Sequence, residues 1–485
     1  MKLKSDHLTF LFSLLLVSVV QLAVAQKVTV SKEISIRTDY AYDLLGQLDD
    51  RIILYRDKGN ERLVEVFDEN MKFLYDRELQ LEIKKSNVYG IAVQQSDFTV
   101  FSGYRKKNAF NLLAHKFNKD AQPLDTFIVL DQIEDLKPRS FEVITSKDKS
   151  KTVLLSSEKE NILHLYVVEN DSLQLLWWNK ILIKDFDLRK DYHSCFVSDE
   201  GEVNVLLYDR NKEAKAKESQ FMLIGASGRD DVFINRFFLD KKYIIDFESR
   251  FDDLNQRFVI AGLSSAEEEY DADSYFYLSK PLSTLEDINI IEYKNFDNTF
   301  IEEVYGQKLG KKKRLDDFVT RDVIVRNDGG IILVTEMEKE FYRRSSFNSG
   351  ARGNGTYGNG WVDLYTEDIV IVSINNEGKE DWKKILYKKQ FAQDDGGSFS
   401  SFFIFKTPSR MRFIYNDEIK NNITVSEYVM DPLGRFQRNS LLSTEYQKLK
   451  IRWKDGMQIS STSMIAPSEN NFKLSLVKID YGIKS

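Results

Sequence analysis

Cysteine is nearly missing: Cys195 is the only one among 485 residues. An intramolecular disulfide framework and a cysteine-rich zinc or iron–sulfur site are therefore excluded. Histidine is almost as scarce, with four in the chain and one of them, His7, in the first 25 residues. Neither a metal centre nor a cofactor is expected. Six prolines leave no proline-rich linker between domains. Basic charge is not in surplus either: 69 Lys and Arg stand against 76 Asp and Glu, a net charge of −7. A dedicated nucleic-acid surface needs clustered cations to offset phosphate, so nucleic acid is not an expected partner. The motifs GxSxG, HExxH, CxxC, the Walker loop and GxGxxG do not occur.

Beyond residue 25 there is no apolar run long enough to span a bilayer. Residues 1–25 read differently. Lys2 and Lys4 precede an apolar stretch over 8–20, and Ala23-Val24-Ala25 precede Gln26. That order is the signature of a secretory signal peptide, and it predicts an exported mature chain, periplasmic or extracellular, beginning at Gln26. Residues 26–485 are expected to form one domain, and a monomer is expected.

What the sequence has in quantity is β-forming residues, with 33 Phe and 23 Tyr, arranged in a repeat. A strand-like core recurs eight times, as DDRIILYRD, SDFTVFSG, SKTVLLSS, EVNVLLYD, QRFVIAGL, GGIILVTE, RMRFIYND and TSMIAPSE. Centred on Ile53, Val100, Leu154, Leu206, Ile260, Leu333, Ile414 and Ile465, they lie 47, 54, 52, 54, 73, 81 and 51 residues apart. A step near 50 is the length of four short strands with their turns, as in a propeller blade. Hairpin segments such as VEVFDENMKFLY, IVIVSINNEGKEDW and SEYVMDPLGRFQ follow the cores, with Asn, Asp or Gly at the turn. The reading is an all-β chain forming a single β-propeller of four-stranded antiparallel blades. Eight blades are expected, and seven is the alternative should one core be a false match. The last unit supplies only about three strands, so the segment 28–36 is expected to complete it beside 472–479, which removes exposed edges at the seam.

In a meander of strands a, b, c and d, consecutive strands end on opposite sides, so b–c loops and d–a links share one face of the ring. With the repeated core as strand b, the long or charged connections 104–108, 210–219, 264–274 and 339–361 are b–c loops, and 308–317 and 390–398 are d–a links. Extra length held on one face by a rigid scaffold suggests a working surface. The two longest steps, 73 and 81, both place their extra residues beside the sixth blade, and a ligand is expected around blades six and seven. An acidic loop, Glu267 to Glu269 with Asp271 and Asp273, and a basic one, Lys308, Lys311 to Lys313 and Arg314, are expected to be neighbours on that face. Candidate binding residues there are Arg343, Arg344, Tyr357 and Trp361, in a Gly-, Asn- and Ser-rich stretch whose aromatics suit a sugar or peptide. Lys389, Gln390, Asp394 and Asp395 join them, ahead of what should be the innermost strand of the seventh blade. His193 and Cys195 are two apart on a predicted strand, so they should face the same way, as a buried core pair.

The stretch from GGIILVTE through DIVIVSINNEGKEDWKKILYKKQFAQDDGGSFSSFF to RMRFIYND resembles uncharacterised secreted β-propeller-like proteins of Bacteroidota. Trp382, Lys389-Gln390 and Asp395-Gly396-Gly397 carry the resemblance. It implies the fold and export, and no catalytic residue. The functional expectation is a non-enzymatic propeller that binds a protein, peptide or glycan on its long-loop face. The alternative is a polysaccharide hydrolase or lyase at the mouth of the central channel, with Asp394 and Asp395 as its acids.

Overall fold

The computed structural model describes residues 26–482 except 60, 84, 108, 134–139, 210–218, 240–241, 267–269, 282–290, 311–313, 344–360, 418–423, 443–445 and 447. The signal-peptide reading, Arg344, Tyr357 and the charged triplets 267–269 and 311–313 fall outside the described residues.

Eight antiparallel sheets follow one another along the chain, each in the order of a four-stranded meander. They are blade 1 (41–78), blade 2 (87–133), blade 3 (142–182), blade 4 (192–238), blade 5 (243–295), blade 6 (318–386), blade 7 (402–440) and blade 8 (457–480). The architecture is an eight-bladed β-propeller. All eight repeated cores are the second strands of their blades. The physical reason is visible in blade 3. Its second strand, Lys151–Glu158, and its third, Ile162–Glu169, are buried on both faces, whereas the outer strand Leu175–Leu182 alternates between covered and exposed positions. A middle strand sandwiched by neighbouring blades must be apolar throughout, and only such strands stand out as uninterrupted apolar runs.

The core is accordingly a series of clusters between successive blades. Leu154 of blade 3, for example, packs with Phe101 and Leu112 of blade 2, while Val153 packs with Val205 and Leu207 of blade 4. Burying each such side chain contributes roughly 1.5–3 kcal/mol.

Turns on the opposite face repeat one chemical device. Asp68, Asn118, Asn375 and Asp431 each use Oδ1 to accept two backbone N–H bonds, from the residues two and four positions on, at 2.9–3.0 Å. The residue three positions on takes a positive φ. It is Met71 (63°) and Ala121 (54°) in blades 1 and 2, but Gly378 (78°) and Gly434 (73°) in blades 6 and 7. An Asx side chain at the turn fixes the hairpin, and glycine removes the steric cost of the left-handed residue.

Ring closure follows the expected route. Blade 8 supplies three strands of its own, Met457–Gln458, Ser463–Asn470 and Lys473–Asp480, and the fourth comes from the N-terminal segment. Lys27–Val30 pairs antiparallel with the last strand, Lys27 opposite Asp480 and Val30 opposite Val477, and Ile34–Ser35 continues along it opposite Leu474 and Lys473.

On the long-loop face, Asp271–Ala272 pairs with Leu315–Asp316, so the 264–274 loop and the 308–317 link do lie side by side. Ahead of that link stands helix α1 (Asn298–Tyr305), capped by Asp297, whose Oδ1 accepts from the Phe300 amide at 2.8 Å, and closed by Gly306 at φ 62°. Its Phe300, Ile301 and Val304 are buried in the cluster between blades 5 and 6. Among the described residues, no helix is long and apolar enough to cross a membrane.

Candidate ligand-binding platform on blade 6

Blade 6 departs from the others where the sequence suggested only loop. Its second strand runs through Ile331–Arg343 and its third through Trp361–Ile374, paired as far as Arg343 opposite Trp361. The ends of the expected 339–361 loop are therefore strand. Likewise the 390–398 link begins with a strand, Gln390–Gln393, which pairs with residues 363–366. Together these three segments make a small sheet rising beyond the blade on the long-loop face. The apolar pattern that marks the blade core stops near Thr335, so alternating polar and aromatic residues disguised the continuation.

Side chains on adjoining strands that lie opposite each other share a face. The register places Lys339, Phe341, Arg343, Trp361, Asp363, Tyr365, Phe391 and Gln393 on one side of this sheet. Phe341, Tyr365 and Phe391 form a row of ring contacts across the three strands, with centroids 5.7 and 5.0 Å apart. Asp363, only 2% exposed, sits at its centre. Arg343 Nε approaches Asp363 Oδ2 at 2.5 Å, and Gln393 Nε2 donates to Asp363 Oδ1 at 2.8 Å. Arg343, Trp361, Asp363, Phe391, Gln393 and Asp394 line an open concavity of about 540 Å³. The result is an aromatic surface bordered by a guanidinium, a carboxylate and an amide, all held on strands.

The reverse face carries Leu364, Thr366, Gln390 and Ala392, and it is anchored on buried charge. Lys388 and Glu336, whose side chains have no solvent exposure, meet at 2.6 Å. Glu336 also receives Arg321 Nε and Ser401 Oγ, each at 2.6 Å, and Arg321 pairs further with Glu338. Burial pushes the Glu336 carboxyl up, but Lys388, Arg321 and the Ser401 hydroxyl outweigh it and hold it below its ordinary value. Burial pulls the Lys388 ammonium down, and Glu336 opposes this. With that carboxylate at 2.6 Å and acceptors from Thr366 (3.1 Å) and Gln390 (2.8 Å), we take the pair as ionised. A cation with acceptors around it and an anion with three donors satisfy the conditions under which buried charge persists.

The structure divides the sequence-derived candidates. Arg343, Trp361 and Asp394 come together at the concavity. Gln390 does not face it: it is buried, its Oε1 accepting from Lys388, Thr366 and the Ser401 amide while its Nε2 donates to the Asn416 carbonyl at 2.7 Å. Lys389 points outward into solvent, 3.9 Å from Glu367. Asp394, in the left-handed region at φ 55°, accepts from the Val362 amide at 2.9 Å and returns its own N–H to the Val362 carbonyl. Asp395 Oδ1 accepts from the Gly397 amide at 2.8 Å. Both acids thus fasten the turn, whose Gly396 and Gly397 have φ of 60° and 69°; a Cβ on Gly397 would collide with Leu364. Missed by sequence reasoning were Phe341, Asp363, Tyr365, Phe391 and Gln393. The signal available for them was the alternation in WVDLYTED and QFAQ.

His193 and Cys195 do not face the same way. A β-bulge between Tyr192 and Ser194 makes His193 the extra residue, which reverses its side. Cys195 packs among Val197 and Val205, and burial, with Glu142 adding to it, raises its thiol well above the ordinary value. His193 instead lies 4.1 Å from the Phe247 ring of blade 5, and burial, helped by Arg250, pulls its pKa down to about 4. Among the described residues, no group of three or more His, Cys, Asp or Glu is placed to hold a metal ion.

No family model matches the chain, and no curated protein does. Among solved structures the chain is similar to polysaccharide lyase Uly1, with 8% identity and a TM-score of 0.39 over 81% of this chain and 90% of the other. It is similar to the β-propeller domain of the Trilobed protease from Pyrococcus furiosus, with 10% identity and a TM-score of 0.37 over 86% and 98%. A structure from a study of two prolyl endopeptidases gives 10% identity and a TM-score of 0.37 over 82% of this chain and 50% of that one. The propeller assignment rests on the sheet order of this chain itself.

Proposed function

We propose that this chain is an exported binding propeller whose raised sheet on blade 6 recognises a glycan. The observation that carries the reading is the single face on which Trp361, Tyr365, Phe391 and Phe341 surround the Arg343–Asp363–Gln393 group. Sugar rings offer C–H faces that lie on aromatic planes, and hydroxyls that pair with carboxylate, amide and guanidinium groups in a fixed geometry. A few polar groups within an aromatic surface are the usual composition of such a site. Export is supported by the order of basic, apolar and small residues over 1–25. The alternative, a polysaccharide hydrolase or lyase, relied on Asp394 and Asp395, and the turn bonds of both carboxylates favour binding without turnover.

Calorimetric titration with a panel of oligosaccharides tests the reading. A glycan that binds the native chain is expected to lose about tenfold or more in affinity in Trp361→Ala and in Arg343→Ala. Binding that is indifferent to both substitutions, or a panel without a single ligand, would remove the proposal. Turnover of a bound polysaccharide that stops in Asp394→Asn with Asp395→Asn would establish the alternative.

A further inference from the structure

A second cavity, of about 630 Å³, opens on the long-loop face where blade 8 meets blade 1. Blade 1 contributes Tyr40 and Tyr42, the link into blade 8 contributes Arg452 and Asp455, and the blade 8 hairpin contributes Glu469 and Phe472. Tyr42 and Glu469 stand on strand faces that look at each other. Tyr42 packs against the cluster between blades 8 and 1, and Glu469 shares a strand face with Ile465 of that cluster. Asp43 turns the other way, opposite Tyr55 and toward blade 2.

The polar groups form one network. Arg452 Nη1 donates to Glu469 Oε2 at 2.9 Å and to the Tyr42 hydroxyl at 3.0 Å, and Tyr42 donates to Glu469 Oε2 at 3.0 Å. Arg452 Nε lies 2.5 Å from Asp455 Oδ2. Each charged member is engaged on one side only. Arg452 Nη2, Glu469 Oε1 and Asp455 Oδ1 bond to no described residue, and the three side chains are 28%, 28% and 40% exposed, so all can be reached from solvent. The cavity thus presents N–H donors and carboxylate acceptors side by side, held in place by the bonds behind them. Two carboxylates beside one guanidinium disfavour an anionic guest, and a cationic guest finds both carboxylates already paired. Hydroxyl groups, which donate and accept without charge, suit both kinds of position.

Two aromatic rings stand at the same opening, Tyr40 at 83% exposure and Phe472 at 63%. Phe472 has neither burial nor backbone comfort to explain it. Asn471 and Phe472 are the two-residue loop of the hairpin that Asn470 and Lys473 close, with φ of 51° and 60°. Positive φ at both positions is the requirement of a type I′ turn, whose second position favours glycine. A phenylalanine there is strained, and its exposed ring gains no packing in return. Contact with a ligand at the mouth of the cavity gives the ring a purpose.

We infer that the cavity between blades 8 and 1 is a site for a neutral sugar, whose hydroxyls pair with Arg452, Glu469 and Asp455 and whose C–H faces meet Tyr40 and Phe472. A few fixed polar groups beside aromatic surface are the usual makeup of such a site. The site shares a ligand class with the blade 6 platform but rests on this cavity alone.

The test is calorimetric titration of the full mature chain, and of the same chain carrying Trp361→Ala with Arg343→Ala, with cellohexaose, laminarihexaose, xylohexaose and mannohexaose, and with hexagalacturonate as the anionic control. At least one neutral hexasaccharide is expected to bind the chain that carries both platform substitutions, with hexagalacturonate about tenfold weaker or undetectable. Adding Tyr40→Ala or Phe472→Gly is expected to weaken that binding about tenfold. Phe472→Gly is also expected to raise the melting temperature, because glycine relieves the turn. The inference is overturned if no neutral hexasaccharide binds once the platform is substituted, if hexagalacturonate binds as tightly, or if binding survives the loss of either ring. It is overturned as well if Phe472→Gly lowers the melting temperature, which would make the ring a packing element. Binding that disappears with Trp361 and Arg343 belongs to the platform, and binding that persists there but fails in Tyr40→Ala belongs to the cavity, so the two proposals fail separately.

Discussion

The two central strands of blade 3 are eight residues each and pair without interruption from Lys151 opposite Glu169 to Glu158 opposite Ile162. Those of blade 6 have 13 and 14 residues and are interrupted by a bulge between Glu336 and Glu338. Up to the bulge the two blades are alike: apolar side chains are buried on both faces because neighbouring blades cover them. Past the bulge Phe341 and Tyr342 are exposed, and a third strand together with an ionic base supports the sheet from its reverse face. A blade core needs about eight residues per central strand. Length beyond that is released from packing and can serve recognition.

The sharpest way to break this comparison is to remove the ionic base. Glu336→Ala strands the fully buried Lys388 charge and leaves Arg321 with Glu338, and is expected to cost about 3–5 kcal/mol in chemical denaturation. A loss below about 1 kcal/mol would mean that blade 6 is held by its apolar ladder, as blade 3 is. The matching change in blade 3, Leu165→Ala, is expected to cost about 2–5 kcal/mol through cavity formation alone.

Acid separates the two regions further. Each of blades 2, 3 and 4 contains a histidine, His115, His164 and His193, and blade 6 contains none. Burial pulls the His115 pKa from 6.5 down to about 4. Between those values the unfolded chain binds a proton that the folded chain refuses, so stability falls as pH drops from about 6.5 to about 4 and levels off below. For His115, which is 1% exposed, the loss is on the order of 3 kcal/mol. Glu336, held below its ordinary value, contributes stability that is lost only as pH falls through that lowered pKa. Amide hydrogen exchange across a pH series should therefore show blades 2–4 loosening before blade 6, with His115→Gln reducing the first phase. Blade 6 loosening first would contradict this assignment. The smallest expected effect on stability is Arg343→Ala, about 1–2 kcal/mol, because the guanidinium is half in solvent but its removal leaves the buried Asp363 carboxylate with Gln393. A larger loss would make the platform a structural element.

The fold was legible to the degree that packing imposes pattern. Middle strands such as Ile331–Arg343 begin with a run that only double-sided burial requires, and turns such as Asn375 to Gly378 have a chemistry that only a hairpin uses. Legibility ended where burial ended. Beyond Thr335 the strand is maintained by register with Trp361–Ile374, which no local composition reveals. Gln390 resembled a surface residue because its burial depends on partners from two other strands, and His193 was misplaced because one bulged residue inverts a side chain without altering the residue types around it. The cavity between blades 8 and 1 was out of reach for another reason: Tyr42 and Glu469 are 427 positions apart and meet only when the ring shuts.

That shutting sets a timetable. Ser31 Oγ accepts the Leu476 amide at a separation of 445 positions, so the strand Lys27–Val30 waits for Lys473–Asp480 to be made. Seven blades can assemble from neighbours as they are synthesised, but blade 8 keeps a bare edge along Lys473–Asp480 until the opposite end of the polypeptide arrives. Contacts this distant in sequence are slow to find, and an unpaired edge invites strands from other molecules. In vectorial synthesis, the interval before the N-terminal strand docks is when this protein is most exposed to misassembly.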